Sequence, residues 1–435
     1  MNAAEKWVVQ RVTAGKEADL SRQFPEEKDR KLSAHFLEDL LTGAQPDVTL
    51  HRHGVRIKGA IIDEPIDLEN AQISCEVRFD YCQFNKSVTF ARATFAAGLA
   101  FSFSKFKEYA TFGGMKVRGS ASFGGVVFDG QVNFLGADIA GNFYAISAKF
   151  QSKEAAIFNR MKVGGNATCE AASFEGQTPF GEADIAGDFL VEEAKFQNRK
   201  KIAYFTRMKV GGGASFKGAS FEGGIDLRYA EFASLDVSGA SWPKVPAQFQ
   251  MQGMSYKAIL AAPKEPKSHE ELLKVVSKAA YSGDVYSRLE EFFSRQGYRA
   301  DADEAFIAGK VRERKEYFLS GDWLRWLSSW MLDLLVGYGR QPWRAGIPCA
   351  ALVALGCVLF SPKKMEPQQP ENTPRVYSRF WYSLGLFLPF VDLQSNKVWK
   401  PKADQTFLRN YMRVHILLGW ILVPLVLAAV TGLIK

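Results

Sequence analysis

Three stretches of this chain are near-copies of one another: FGGMKVRGSASFGGVVF from Phe112, FNRMKVGGNATCEAASF from Phe158 and FTRMKVGGGASFKGASF from Phe205. They lie 46 and 47 residues apart. A second pair interleaves with them, GADIAGNFYAISAKFQ from Gly136 and EADIAGDFLVEEAKFQ from Glu182, again 46 apart. A fixed long period of this kind points to stacked units, each burying its apolar face only against its neighbours.

A shorter pattern runs inside the long one. Small-polar-large triplets recur: Ala93-Thr94-Phe95, Ala110-Thr111-Phe112, Ala121-Ser122-Phe123, Ala148-Lys149-Phe150 and Ala172-Ser173-Phe174, among others. Large residues often return after five, as from Phe90 to Phe95 and from Phe123 to Phe128. Five is the period of neither a helix nor a plain strand. A square coil accounts for it. Each face points one large apolar residue inward, with a small residue two positions earlier on the same side of the pleat. Gly or Ser suits the corner. Four faces take about twenty residues, so the 46-residue unit reads as roughly two coils with insertions, stacked at ~4.8 Å with Phe over Phe. The predicted core is Phe95, Phe112, Phe123, Phe128, Phe150, Phe158, Phe174, Phe196, Phe216, Phe221 and Phe232. Register breaks at 96–101, 140–148 and 186–194 predict irregular or bulged coils.

This Ala-polar-large-x-x pattern, over roughly residues 50–242, resembles the pentapeptide-repeat family. The resemblance implies a right-handed quadrilateral β-helix. The fold class expected is mainly β plus α, with the β-helix over 48–242 behind an N-terminal helical cap in 1–47. A helical linker fills 243–320 and C-terminal transmembrane helices fill 321–435. The cap rests on DRKLSAHFLEDLLTG at 28–42, where Leu32, Phe36, Leu40 and Leu41 share one side and Gly43 ends the helix. Open coil ends invite edge-to-edge pairing, so a cap is needed. The linker reads as helices over 269–281, 284–296 and 300–318, with Gly297 as the breaker. Its Tyr286-x-x-Leu289, Gly297, Asp303 and Lys310-Val311-Arg312 resemble the helical linker of some membrane-attached pentapeptide proteins.

The last hundred residues are patterned for a bilayer. Residues 321–339, GDWLRWLSSWMLDLLVGYG, mix Trp and Leu with three charges and suit a helix lying in the headgroup layer. Residues 343–360 and 414–434 read as two crossings, and 378–391 as a re-entrant or interfacial helix too short to cross. The GYGRQPWRAG segment at 337–346 and Phe380-Trp381-Tyr382-Ser383-Leu384 resemble the two-crossing, ion-channel-like tail of some bacterial pentapeptide proteins. Where a potassium filter would stand, this chain has Leu388-Pro389-Phe390-Val391-Asp392, which lacks the stacked carbonyls of a Thr-Val-Gly-Tyr-Gly run. Val336-Gly337-Tyr338-Gly339 spells part of that run but precedes the first crossing, and reads as a Gly-rich turn. Pore candidates are therefore Asp392, Phe387 and Pro389. Lys363, Lys364, Lys397, Lys400 and Lys402 are candidates for anionic lipid headgroups. Nine basic and four acidic residues in 361–413 would favour the cytoplasm. The absence of a signal-like start favours both termini inside and that loop outside.

Charge sharpens the division of labour. The net +8 resides in residues 251–435, and residues 1–250 balance to zero. A neutral solenoid is not a phosphate-backbone binder, so no nucleic-acid partner is expected. The cysteines Cys75, Cys82, Cys169, Cys349 and Cys357 form no CxxC and read as buried reduced thiols. His51-x-His53 lacks further donors at metal-ligand spacing. Gly211-Gly212-Gly213 has no strand-to-helix context for a phosphate loop and reads as a repeat corner. No catalytic, metal or cofactor motif is visible.

The function expected is a membrane-anchored interaction scaffold at the inner membrane, with the β-helix in the cytoplasm. It would bind lipid, form a homo-oligomer through its tail and present its faces to an unidentified protein partner. The alternative is an oligomeric pore controlled by the β-helix. A third class, a membrane-associated oxidoreductase, lacks a cofactor fingerprint.

Overall fold

A computed structural model describes residues 1–259, 268–368, 376–391 and 398–431. The chain forms two units, Met1–Phe292 and Phe293–Lys435.

The first unit is a β-solenoid of about nine turns. Its strands are mostly two residues long, paired in parallel with the coils on either side. One ladder runs Val77, Leu99, Ala121, Phe143, Ala167, Phe189 and Ala214. Those residues are 22 apart, stretching to 24 and 25 at two coils. Two such coils make the 46- and 47-residue repeats.

The coil is 22 residues because its faces alternate in length. Buried large residues follow one another as Phe79, Phe84, Phe90, Phe95, Phe101, Phe106, Phe112, Val117, Phe123, Phe128 and Phe134, in steps of five and six. Two kinds of corner cause this. In Phe90-Ala91-Arg92-Ala93, the Ala93 N–H donates to the Phe90 carbonyl at 3.0 Å and Arg92 has φ +56°. That is the signature of a type II turn. The left-handed residue then recurs every eleventh position, at Asn70, Tyr81, Arg92, Phe103, Gly114, Gly125, Gly136 and Ser147. The other corner takes six. The expected bulges at 96–101, 140–148 and 186–194 are therefore not irregular: each is the ordinary six-residue step, seen against a template of five. The insertions lie elsewhere, at 151–157 and 197–204, between Phe150 and Phe158 and between Phe196 and Phe205.

Alternate coils differ in both volume and charge, which is why the sequence repeats every second coil. Inward, Met115, Ala137, Met161, Ala183, Met208 and Ala230 interleave large with small, and all are fully buried. Outward beside them stand Lys116, Asp138, Lys162, Asp184, Lys209 and Glu231. Like charges directly opposite on neighbouring strands are destabilising, and this alternation avoids them.

All eleven Phe residues singled out above are buried. Phe128, Phe150, Phe174, Phe196 and Phe221 form one column with ring centroids 4.7–5.4 Å apart and near-parallel planes. Phe112, Phe134, Phe158 and Phe180 form another, at 4.4–5.3 Å. Such pairs add roughly 0.5–1.5 kcal/mol each beyond the area they bury. At one six-residue corner the side chains form a ladder too. Asn142 N–H donates to Ser120 Oγ, Asn166 N–H to Asn142 Oδ1, Asp188 N–H to Asn166 Oδ1 and Gly213 N–H to Asp188 Oδ1, all at 2.7–3.0 Å. Gly211-Gly212-Gly213 closes this ladder, not as the expected corner but inside the continuous strand Lys209–Ser215, whose register with Glu231–Asp236 shifts between Val210 and Gly213.

Both ends are covered. At the N-terminal end, α1 (Ala3–Thr13), α2 (Leu20–Gln23) and α3 (Ala34–Thr42) precede the coils. Ala18–Asp19 pairs with Ile57–Lys58 on the first coil. Ser33 caps α3, which starts later than the predicted 28, and Gly43 ends it at φ +75°. Glu5 of α1, almost fully buried, accepts from the Ser33 Oγ and N–H at 2.7 and 3.0 Å. At the other end strand pairing continues past Trp242, through Phe249–Gln250 and Ser255–Ile259. Helices α4 (Ser268–Lys278) and α5 (Gly283–Arg295) follow. The Ala280 N–H donates to the Phe249 carbonyl at 2.8 Å, and the Gly253 N–H to Asp284 Oδ2 at 2.6 Å.

The second unit is helical. It holds α6 (Arg299–Leu319), α7 (Trp323–Val336), α8 (Gly346–Leu359), α9 (Arg379–Phe387) and α10 (Thr406–Val430). Among the described residues α10 alone is long and apolar enough to cross a membrane unaided, over Thr406–Ala428. It starts eight residues before the predicted 414. The expected first crossing falls short: α8 has 14 residues, ~21 Å of helix at 1.5 Å per residue, against ~30 Å of hydrocarbon. It meets α7 at a bend of 119°.

Candidate functional site

The helical unit is where unusual chemistry concentrates. Three helices meet at a buried polar node. Ser383 on α9 and His415 on α10 are both fully buried. Ser383 Oγ donates to the Val353 carbonyl of α8 at 2.9 Å. His415 Nε2 lies 3.1 Å from the Ser383 carbonyl, which can only accept, so Nε2 carries the hydrogen. Nδ1 is then free to accept from the Tyr411 hydroxyl, 3.2 Å away. Every polar atom of the imidazole is thus satisfied without charge, as an apolar surround demands. Close approach makes this possible. A Cβ on Gly356 would collide with Ser383 Oγ, and one on Gly419 with the Phe387 carbonyl.

Around the node the surface is apolar. Large side chains stand exposed along α7 (Trp323, Leu324, Leu327, Trp330, Leu334), α8 (Ile347, Leu355, Val358) and α10 (Phe407, Val414, Leu417, Trp420, Ile421, Leu427). A cavity of about 680 Å³ opens between α8, α9 and α10. Its walls include Cys349, Val353, Phe380, Leu384 and Val426, with no charged residue.

Charge gathers away from the node. Strands Met365–Pro367 and Trp399–Pro401 pair antiparallel. The ladder brings Lys363 and Lys364 beside Lys400 and Lys402, all exposed, with Lys402 N–H donating to the Lys364 carbonyl at 3.0 Å. Lys400 also lies 3.6 Å from Glu366. Elsewhere Asp333 on α7 joins Arg314 of α6 at 2.9 Å and Arg344 at 3.6 Å. Trp330 and Trp343 line a second cavity with Asp333 and Arg344.

No known family model, curated protein or solved structure matches this chain.

Asp392 and Lys397 lie outside the described residues. Phe387 is buried against Leu335, Val336, Val353 and Leu422 in the helical core. Pro389 is half-buried just past the end of α9, which stops because the residue before a proline avoids the helical region. Tyr338 of the filter-like Val336–Gly339 run has φ +53° and bonds Ser329 Oγ at 2.8 Å, in a turn. The His51 and His53 rings meet at 4.4 Å, and His53 Nδ1 lies 3.1 Å from the Gly15 carbonyl, so the pair fastens the first coil to the N-terminal cap. Of the cysteines, Cys82 and Cys169 are buried while Cys75, Cys349 and Cys357 are half-buried, less hidden than expected. The His415 node escaped sequence reasoning. Its signal was a lone histidine in an otherwise uncharged run, with Ser383 and Gly356 remote in sequence.

Proposed function

We propose that this chain is a membrane-anchored scaffold: the helical unit sits in a bilayer and the solenoid offers its faces to a protein partner. One observation carries the reading, namely the row of large apolar side chains left exposed on α7, α8 and α10, far more than a water-soluble surface tolerates. Their context supports it. α10 has spanning length, and the node within the helices is neutral and saturated. Trp323, Trp330 and Trp343 suit the headgroup level, as do the four clustered lysines. The repeat pattern supports kinship with pentapeptide-repeat proteins, and an inner-membrane site with a cytoplasmic solenoid fits the neutral coils. The pore reading gains less, since Phe387 packs into the core and the cavity beside it is apolar.

Liposome flotation tests the anchor. Purified full-length protein should float with vesicles after detergent removal. Exchanging Lys363, Lys364, Lys400 and Lys402 for Glu should weaken flotation on anionic vesicles more than on neutral ones. Protein that stays at the bottom of the gradient with both lipids would refute the anchor.

A further inference from the structure

We propose that the charge ladder on the solenoid is a docking surface for a second copy of this chain, related by a two-fold axis between Lys162 and Asp184 and perpendicular to the stack. The face presents one outward residue per coil: Gln72, Thr94, Lys116, Asp138, Lys162, Asp184, Lys209, Glu231 and Ser255. All six charged members are exposed. Within one stack, alternation already keeps like charges apart. Three further features are not required by a single stack.

The first is the even count. An alternating row with an even number of members becomes its own complement when reversed. Laid antiparallel on a second copy, Lys116 faces Glu231, Asp138 faces Lys209, Lys162 faces Asp184, and each contact occurs twice about the axis. A row of five or seven would set like against like. The second is what flanks the six charges: uncharged Thr94 and Ser255 face each other, and Gln72, one coil beyond Thr94, is uncharged as well. The third is the strip beside the charges, which carries Arg118 on the Lys116 rung but only small exposed residues on the next four, Ala140, Gly164, Ala186 and Gly211. A partner can therefore approach closely enough for ion pairing. A parallel, in-register pairing sets every charge against its like, so the geometry selects one orientation.

The size is adequate and modest. Eight rungs at ~4.8 Å, on a face ~15 Å wide, bury roughly 1,000 Å² over both partners, the lower end for specific association. A contact of this area and polarity should weaken with salt, because exposed pairs are screened within ~10 Å at 0.1 M.

Zero-length carbodiimide cross-linking of the full-length protein in detergent, read by mass spectrometry, tests the proposal. It does not depend on the membrane reading, since the ladder lies wholly in the solenoid. Lys116 and Glu231 are five coils apart in one chain, ~24 Å at ~4.8 Å per coil, too far for a zero-length link. The proposal predicts a Lys116–Glu231 link in the dimer band, lost at high salt. Lys162→Asp should abolish the dimer, and adding Asp184→Lys should restore it. That double exchange leaves like-charged neighbours within each stack, so a ladder serving one chain alone would lose thermal stability and regain nothing. Links confined to neighbouring rungs, or a double exchange that fails to restore the dimer while the protein remains folded by circular dichroism, would overturn the proposal.

Discussion

Position by position, the solenoid asks different things of residues that look alike. Gly136 and Gly187 both sit at corners. Gly136 has φ +65° and nothing within 4 Å of where a Cβ would stand, so Gly136→Ala meets only the backbone cost of a left-handed residue, about 1 kcal/mol. Gly187 lies over the coil below, where a Cβ would collide with Asn166 Oδ1 and approach the Gly165 carbonyl to 2.8 Å. Gly187→Ala should cost about 2–3 kcal/mol by forcing coils apart, and urea melts of the two variants should rank them in that order. Thiols separate by burial too. Inside the coils, burial pushes Cys82 and Cys169 up to about 12, so neither forms thiolate at neutral pH. Both should resist maleimide in the folded protein and react once it is denatured. Labelling of either in the native state would mean that the coils open.

Among elements, the N-terminal cap is one whose stability should follow pH. Burial alone would raise the Glu5 carboxyl, but hydrogen bonds from the Ser33 hydroxyl, the Ser33 N–H and the Asn2 N–H outweigh it and hold its pKa below the ordinary value. A carboxyl depressed in the folded state stabilises above its unfolded pKa and loses that contribution as pH falls through its folded one. Hydrogen-exchange protection factors in α1 and α3, taken relative to the intrinsic rate at each pH, should therefore fall as pH drops below about 4.5, and Glu5→Gln should flatten that dependence. The sequence made some elements legible and hid others. The Ala-x-Phe spacing exposed the coil because one inward residue per face is a local rule. The alternation of five and six stayed hidden, because a corner is defined by backbone torsion and Arg92, Ser147 and Glu182 bear no glycine to announce it. Helix α1 is hard to read because Trp7, Val8, Val9 and Val12 spread round the helix and form no narrow stripe, although the capping box at Asn2 and Glu5 marks its start. The Ser383–His415 node joins residues more than thirty apart, which no local pattern reveals.

At the scale of the whole molecule, the account joins a neutral stack to a helical unit whose outer surface is apolar. The two halves differ in what they bury and expose: the coils bury their Phe columns and expose charge, while the helices bury a histidine and expose Trp, Leu and Ile. The most direct measurement is alkaline carbonate extraction of membranes from cells making the full-length chain. The account predicts that the protein stays in the membrane pellet, and that Leu417→Lys with Ile421→Lys on the exposed side of α10 shifts it toward the supernatant. Wild-type protein released wholly into the carbonate supernatant would contradict it.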